Sequence, residues 1–310
     1  MAKLRTVFMG TPEFSIKPLE VLIENTEVVL VVTQPDKLVG RHKVLTPSVV
    51  KQLALKNNIE VFQPVKIRQD YQKIIDLKPD LIITCAYGQI IPKELLECAK
   101  YKAINIHASI LPKYRGSAPI NWAIINGDKK TGITLMYMDE HMDTGDIIKI
   151  AETDIKETDT YGSLYKRLSL IGAELLKENL DYIASDNVVR IKQNDDESTL
   201  APMIKRETEH IDFSLEGNSI INKIRGLNPN PYAYTVINSE EIKVIDAYFE
   251  KKSVNNSGQI VEITKKSLGI SCKNGIIYIT KVKPAGKKEM GIANYLNGVN
   301  KENLKNNQVG

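Results

Sequence analysis

The chain has 310 residues, 42% hydrophobic and 26% charged, a length that predicts about two domains and a composition ordinary for a soluble globular protein. A chain this long buries roughly three quarters of its unfolded surface, so neither disulfides nor a structural metal is required for stability. The net charge of +4, from 42 basic and 38 acidic residues, excludes a strongly acidic or strongly basic protein and leaves open where the excess sits.

The first 150 residues alternate strand-like apolar runs with amphipathic stretches, the pattern of a parallel sheet with crossover helices. Residues 4–9 read as a first strand, and Gly10-Thr11-Pro12 supplies a turn, an N-cap and a first-turn proline for a helix to about residue 24. That turn lacks GxGxxG and Gly-Lys-Ser/Thr, which argues against dinucleotide or P-loop nucleotide binding. It can still line a crevice, because open parallel sheets bind ligands beyond the carboxyl ends of their strands. Residues 28–33 are a second strand and 34–45 a basic loop, after which Thr46-Pro47 repeats the cap and proline signature of a helix to about residue 57. Further strands are expected at 81–86 and 103–106, each followed by a loop and then helical pattern. Residues 133–138 and 147–151 should pair around the loop 139–146, and 160–185 should form a long helix.

Residues 188–206, with mixed charge, little periodicity and a proline, are expected to be a linker. Beyond it come a short helix over 219–225, a turn-rich stretch over 228–232 and strand-like runs at 233–237, 242–249, 258–264, 268–272 and 276–283. Five short strands at this spacing suggest a small barrel or sandwich. Residues 303–310 read as a frayed tail. The positive charge is concentrated here: residues 204–310 hold 16 basic and 11 acidic residues, and 251–288 hold nine lysines with Glu262 the single acid. Such a cluster is either a solvated face or the footprint of a polyanion such as nucleic acid.

Cys85, Cys98 and Cys272 are odd in number and without CxxC, so neither a disulfide framework nor a zinc ribbon is indicated. The N-terminus passes at once into Val7-Phe8-Met9, unlike a secretory leader, and no apolar run approaches the roughly 18 residues of a membrane span. A soluble cytoplasmic protein is expected.

The chemically informative stretch is Asn105-Ile106-His107-Ala108-Ser109-Ile110-Leu111-Pro112. Asn105 and His107, two apart at the end of a strand, point to one face. An amide donor beside an imidazole suits acyl transfer: the amide stabilises a developing oxyanion and the imidazole handles a proton. A buried, hydrogen-bonded Asn and His in a strand-to-loop corner fit the same spacing. The acidic turn Asp139-Glu140-His141-Met142-Asp143-Thr144-Gly145-Asp146 can bring a carboxylate to His107, orienting its ring and favouring its charged form. His141 and Asp143 lack a third spaced ligand, so no metal is assigned.

Asn105-Ile-His107-Ala-Ser109-Ile-Leu-Pro112, with Tyr114-Arg115-Gly116-Ser117-Ala118-Pro119 and Met142-Asp143-Thr144-Gly145-Asp146, resembles the catalytic core of the 10-formyltetrahydrofolate-dependent formyltransferases. Met9-Gly10-Thr11-Pro12-Glu13-Phe14, Thr33-Gln34-Pro35-Asp36-Lys37, Ala86-Tyr87-Gly88-Gln89 and Arg225-Gly-Leu-Asn-Pro229 are similar to the branch whose acceptor is initiator methionyl-tRNA. The resemblance covers essentially the whole chain. It implies that Asn105, His107 and Asp143 are catalytic and that Ser109, Ile110, Leu111 and Pro112 bind tetrahydrofolate. Ile110 stands where the family has leucine. The pterin is expected near Tyr87, Gly88, Gln89 and Ile91-Pro92. Arg41 falls in the family's inserted loop, which enters the acceptor stem of the tRNA. Lys37 and Lys43 flank it, and Lys205, Lys265, Lys266, Lys287 and Lys288 are further candidate tRNA contacts. Cys85 is expected to be a small core residue rather than a nucleophile.

The expected fold is therefore α/β. A Rossmann-like formyltransferase domain with a mostly parallel sheet over 1–187 is joined by a linker over 188–206 to a basic, tRNA-binding, OB-like β-barrel domain over 207–310. The formyl donor expected is 10-formyltetrahydrofolate, consumed as a co-substrate, and the enzyme is expected to act as a monomer. A formyltransferase acting on a nucleotide sugar or ribonucleotide amine would share the three catalytic residues without needing the basic domain. A non-catalytic RNA-binding protein would have no use for the catalytic set.

Overall fold

The computed structural model describes residues 3–40, 42–185, 187–299, 304 and 309. The chain folds into two compact units. The first holds residues 1–117, 131–153 and 165–201; the second holds 118–130, 154–164 and 202–310. This differs from a contiguous division near residue 187 in three places: 118–130 and 154–164 pack with the second unit, and 188–201, expected as part of a linker, packs with the first.

The first unit is built on seven strands. β1 (Arg5–Gly10) is buried at five of six positions, as a strand covered on both faces must be. It lies parallel to β2 (Glu27–Val32) on one side. α1 (Ile16–Asn25), which follows a 3-10 turn over Glu13–Ser15, makes the crossover between them. A hairpin of β3 (Lys37–Val39) and β4 (Val44–Thr46) comes next, then α2 (Val49–Lys56) and β5 (Val61–Phe62). α3 (Gln72–Asp76) leads to β6 (Leu81–Cys85), which lies parallel to β1 on its other side. α4 (Lys93–Glu97) leads to β7 (Ala103–His107), parallel to β6. α5 (Pro119–Ile125) precedes β8 (Lys130–Tyr137), antiparallel to β7, and β9 (Ile147–Asp154) closes the sheet before the long helix α6 (Tyr161–Ile183). The order β5-β2-β1-β6-β7-β8-β9 reverses direction of growth between β1 and β6. That switch point is where open α/β sheets leave a crevice beyond the strand ends. Val7, Met9, Leu30, Val32 and Ile82 form a buried core cluster with Ile74, Leu95 and Tyr87.

Three local details depart from expectation. Thr11 does not cap α1; its hydroxyl crosses to the Tyr87 carbonyl at 3.3 Å, and Pro12 precedes the 3-10 turn instead. α2 is capped by Ser48, whose hydroxyl accepts from the Lys51 amide at 3.0 Å, rather than by Thr46, which ends β4. The basic loop over 34–45 is a hairpin whose two three-residue strands pair through Leu38 and Leu45. Arg41 lies outside the described residues.

The second unit is an antiparallel sheet with helices. After α7 (Arg206–Glu209) and α8 (Gly217–Gly226) come β10 (Ala233–Ile237), β11 (Glu240–Lys251), β12 (Ile260–Ile263), β13 (Leu268–Cys272), β14 (Gly275–Pro284), β15 (Met290–Gly291) and α9 (Ile292–Asn297). Strand order is β10-β11-β14-β13-β12, with β15 added to β14. Alternate residues of β10 are buried, the period-two signature of a sheet with one covered face. Ile242, Val244, Ile270, Ile277 and Ile279 form the core with Ile220 and Ile224 of α8. Of the tail over 303–310 only Leu304 and Val309 are described, and both are buried in this core. No helix among the described residues is long and apolar enough to cross a membrane.

Candidate active site

Asn105 and His107 project from one face of β7, as their spacing requires. Thr84 is the register partner of Asn105 on β6, and its hydroxyl lies 2.9 Å from the Asn105 amide oxygen. A carboxylate only accepts, so the flip is fixed by Asp143: the Asn105 Nδ2 faces it at 3.5 Å, and the amide oxygen is left to accept from the Thr84 hydroxyl.

His107 is buried, 6% exposed, and its Nε2 lies 2.9 Å from the Tyr114 carbonyl. A carbonyl has no hydrogen to give, so Nε2 carries one. The other ring nitrogen, Nδ1, faces Asp143 Oδ1 at 3.6 Å, longer than a hydrogen bond. In the neutral ring Nδ1 is a base with an open lone pair; once protonated it becomes a cation beside a carboxylate.

Asp143 is held where it can serve both neighbours. Its other oxygen, Oδ2, accepts from the Gly116 amide at 2.9 Å. Gly116 has φ 125, and a Cβ there would lie 2.6 Å from the Ala201 carbonyl, so only glycine fits this donor position. Asp143 has φ 56 and Tyr114 φ 62, left-handed values that side-chain-bearing residues adopt only when their surroundings impose them. Oδ1 of Asp143 is thus the point on which the Asn105 amide and the His107 imidazole converge.

The expected folate-binding residues lie in two segments. Ser109 is fully buried, and its hydroxyl donates to the Lys113 carbonyl at 2.6 Å, closing its own turn. Leu111 packs with Met136 and Ile147, and its amide donates to the Thr134 hydroxyl at 3.2 Å, while Ile110 and Pro112 are half-buried. The second segment follows β6, at the switch point. There Gly88 (φ 84) is exposed and Ile91 is buried, while Gln89 uses its amide oxygen to accept from the Ile67 backbone at 2.8 Å. Tyr87 is buried, its hydroxyl has no hydrogen-bond partner among the described residues, and burial pushes its pKa up to about 12. Burial also pushes the Cys85 thiol up to about 12, against a smaller opposing effect of Ser15, so this core cysteine stays protonated.

Lys37 and Lys43 are exposed on the β3–β4 hairpin. Its base is tied down by Lys51 Nζ on Asp36 at 2.7 Å and by Gln34 Nε2 donating to the Tyr87 carbonyl at 3.1 Å. Lys205, Lys265, Lys266, Lys287 and Lys288 lie in the second unit, all exposed. Two neighbours in the lysine cluster are neutralised: Lys273 pairs with Glu216 at 3.6 Å and Lys281 with Glu289 at 2.7 Å.

Sequence reasoning missed Thr84, the Gly116 amide and the Tyr114 carbonyl. Thr84 becomes visible only through strand register, and the other two act through backbone atoms, of which only the Gly116 amide leaves a trace in residue type. Among the described residues no group of three or more His, Cys, Asp and Glu could hold a metal.

The family model described as formyl transferase matches residues 5–180, and that for the formyl transferase C-terminal domain matches 203–300. The methionyl-tRNA formyltransferase of Staphylococcus epidermidis is 46% identical over 298 residues, covering 95% of this chain and 96% of its own. That of Bacillus subtilis is 46% identical over 306 residues, covering 96% of each. Among solved structures, an N-formyltransferase from Helicobacter canadensis, in complex with folinic acid and dTDP-3-aminofucose, superposes with a TM-score of 0.69 at 24% identity. The match covers 94% of this chain and 100% of that one, a likeness of fold. The chain belongs to the formyl transferase family.

Proposed function

We propose that this chain transfers the formyl group of 10-formyltetrahydrofolate to the α-amino group of methionine on initiator tRNA, in the cytoplasm. The observation that carries the chemistry is the convergence of Asn105 and His107 on Asp143 Oδ1, at 3.5 and 3.6 Å. The near-full-length identity to methionyl-tRNA formyltransferases supports the acceptor, as do the exposed lysines of the second unit.

The donor lies between residues 109–112 and the stretch of Tyr87, Gly88, Gln89 and Ile91, where Gly88 is exposed. The amino nitrogen attacks the formyl carbon, and the carbonyl pair moves onto oxygen. Asn105 Nδ2 donates to that oxyanion. His107 Nδ1 takes the proton lost by the attacking nitrogen, and Asp143 stabilises the cation so formed. As the carbon–N10 bond breaks, the proton passes to N10, leaving tetrahydrofolate. No covalent intermediate on the protein is involved.

The test is a formyl-transfer assay with initiator methionyl-tRNA, free methionine and a nucleotide-linked amino sugar as acceptors. Only the tRNA should be used efficiently; preference for the sugar would overturn the acceptor assignment. Asn105→Ala should lower kcat by about 10² to 10³. Asp143→Asn keeps a residue type that tolerates positive φ while removing the charge, and should fall comparably. Turnover near that of the native chain in either variant would remove the proposed roles.

A further inference from the structure

The loop that carries Asp143 does not hold itself in place. Asp143 and Gly145 each turn a carbonyl toward residues 189–201, the segment that follows α6. Ile191 in this segment exchanges both backbone hydrogen bonds with Ile147 at the start of β9, at 2.8 and 2.9 Å. Two residues on, Gln193 is 7% exposed, and its Nε2 donates to the Asp143 carbonyl at 2.9 Å and the Gly145 carbonyl at 2.8 Å. Its Oε1 accepts from Arg115 Nε at 3.1 Å and Nη2 at 2.9 Å. Both amide hydrogens and both oxygen lone pairs are used. The opposite flip would put hydrogens against a guanidinium and an oxygen against two carbonyls, so one orientation alone is allowed.

Arg115 is itself buried, 7% exposed, and its Nη2 also meets Asp195 at 2.7 Å. It belongs to the other active-site loop, whose Tyr114 carbonyl anchors His107 and whose Gly116 amide anchors Asp143. The same segment grips that loop a second time: Thr199 takes the Tyr114 amide on its hydroxyl at 2.9 Å and the Arg115 amide on its carbonyl at 2.8 Å.

We propose that Gln193, oriented by Arg115, is a positioning residue for catalysis, locking the Asp143 loop to the loop that holds His107. The proposal rests on the catalytic reading given above. Gln193 touches neither substrate nor reacting atoms. It fixes the backbone carbonyls of Asp143, the carboxylate-bearing residue held at φ 56, and of Gly145, and through them the 3.5 and 3.6 Å approaches to Asn105 and His107. A misplacement of about 1 Å in such a constellation costs on the order of 100-fold in rate.

Gln193→Glu separates the two halves of the residue. The carboxylate still receives the Arg115 guanidinium but has no hydrogen for the two carbonyls, which then face an oxygen. Kinetics on the full chain, with initiator methionyl-tRNA and the folate donor, should show kcat lowered about 10- to 100-fold and both KM values within about twofold of the native chain. Because Gln193 acts through Asp143, adding Gln193→Glu to Asp143→Asn should cost less than about twofold more. A residue needed only for folding would multiply the two losses, and that outcome overturns the proposal, as does native kcat in Gln193→Glu. Should Gln193→Glu not fold, Gln193→Asn, which keeps the amide but withdraws it by one carbon, must show the same kcat-only loss; full activity there also overturns it. If Asp143→Asn is itself active at the native rate, the catalytic reading fails, which is distinct from an inactive Asp143→Asn beside an active Gln193→Glu.

Discussion

The Thr84 hydroxyl braces the Asn105 amide from the side away from Asp143. With the hydroxyl 2.9 Å from the amide oxygen, the amide hydrogens are left for Asp143 and for an oxyanion. Thr84→Val keeps the shape of a fully packed strand residue and removes one of the two contacts that hold the amide, leaving it less firmly placed for donation. One lost hydrogen bond of this kind is about 1 kcal/mol, so kcat should fall about fivefold with KM unchanged. Steady-state kinetics beside a thermal melt checks this: a lowered melting point with native kcat would make Thr84 a packing residue only. Asn105 and His107 were legible because strand periodicity sets their common face. Their anchors were not, since Thr84 lies 21 residues away in sequence and meets Asn105 only across the sheet.

The hairpin of β3 and β4 exposes Leu38, Val39, Val44 and Leu45, each more than half accessible, beside Lys37 and Lys43. Nothing apolar in the first unit's core depends on these side chains, so the hairpin's register rests on its base. There Asp36 meets Lys51 at 2.7 Å and the Gln63 amide at 2.8 Å. The Lys51 hydrogen bond first, and that of Gln63 second, hold the Asp36 carboxyl below its ordinary value of 3.8. A carboxyl lowered on folding stabilises the folded form above its unfolded value, and that contribution is lost as pH falls through the lower, folded value. Asp36→Asn should therefore loosen the hairpin at pH 7, seen as faster proteolysis between residues 37 and 46, while the two chains begin to converge only once pH falls below 3.8. A difference that persists at acid pH would point to geometry rather than charge. The sequence showed this segment as a basic loop because strands of three residues are too short for period-two alternation to register. For the same reason of competing local signals, Thr46-Pro47 looked like a cap, although Ser48 is the residue with a free amide three positions ahead.

Across the whole molecule the charge is divided as the residue counts implied, with the surplus of lysine in the unit holding residues 202–310. Lys265, Lys266, Lys287 and Lys288 are exposed and without an acidic partner among the described residues. Replacing all four by Gln should reduce the slope of log affinity for tRNA against log salt by roughly one for each phosphate that is no longer neutralised. An unchanged slope would make the cluster solvated surface. The mostly parallel sheet of the first unit and the run of strands in the second could be read from apolar runs and their spacing, but strand order and the membership of the second unit's helical parts could not. α5 comes from the middle of the chain, yet Asn121 donates to the Gly226 carbonyl at 2.8 Å, and a Cβ on Gly226 would lie 2.7 Å from Ile125. Arg225 likewise donates to the carbonyls of Lys156 and Asp159 at 3.0 and 3.1 Å. A recombination crossover near residue 202 would therefore part α8 from the segments it was selected to fit. Shuffling of this C-terminal region between lineages is constrained to partners that carry matching residues at 118–130 and 154–164 as well.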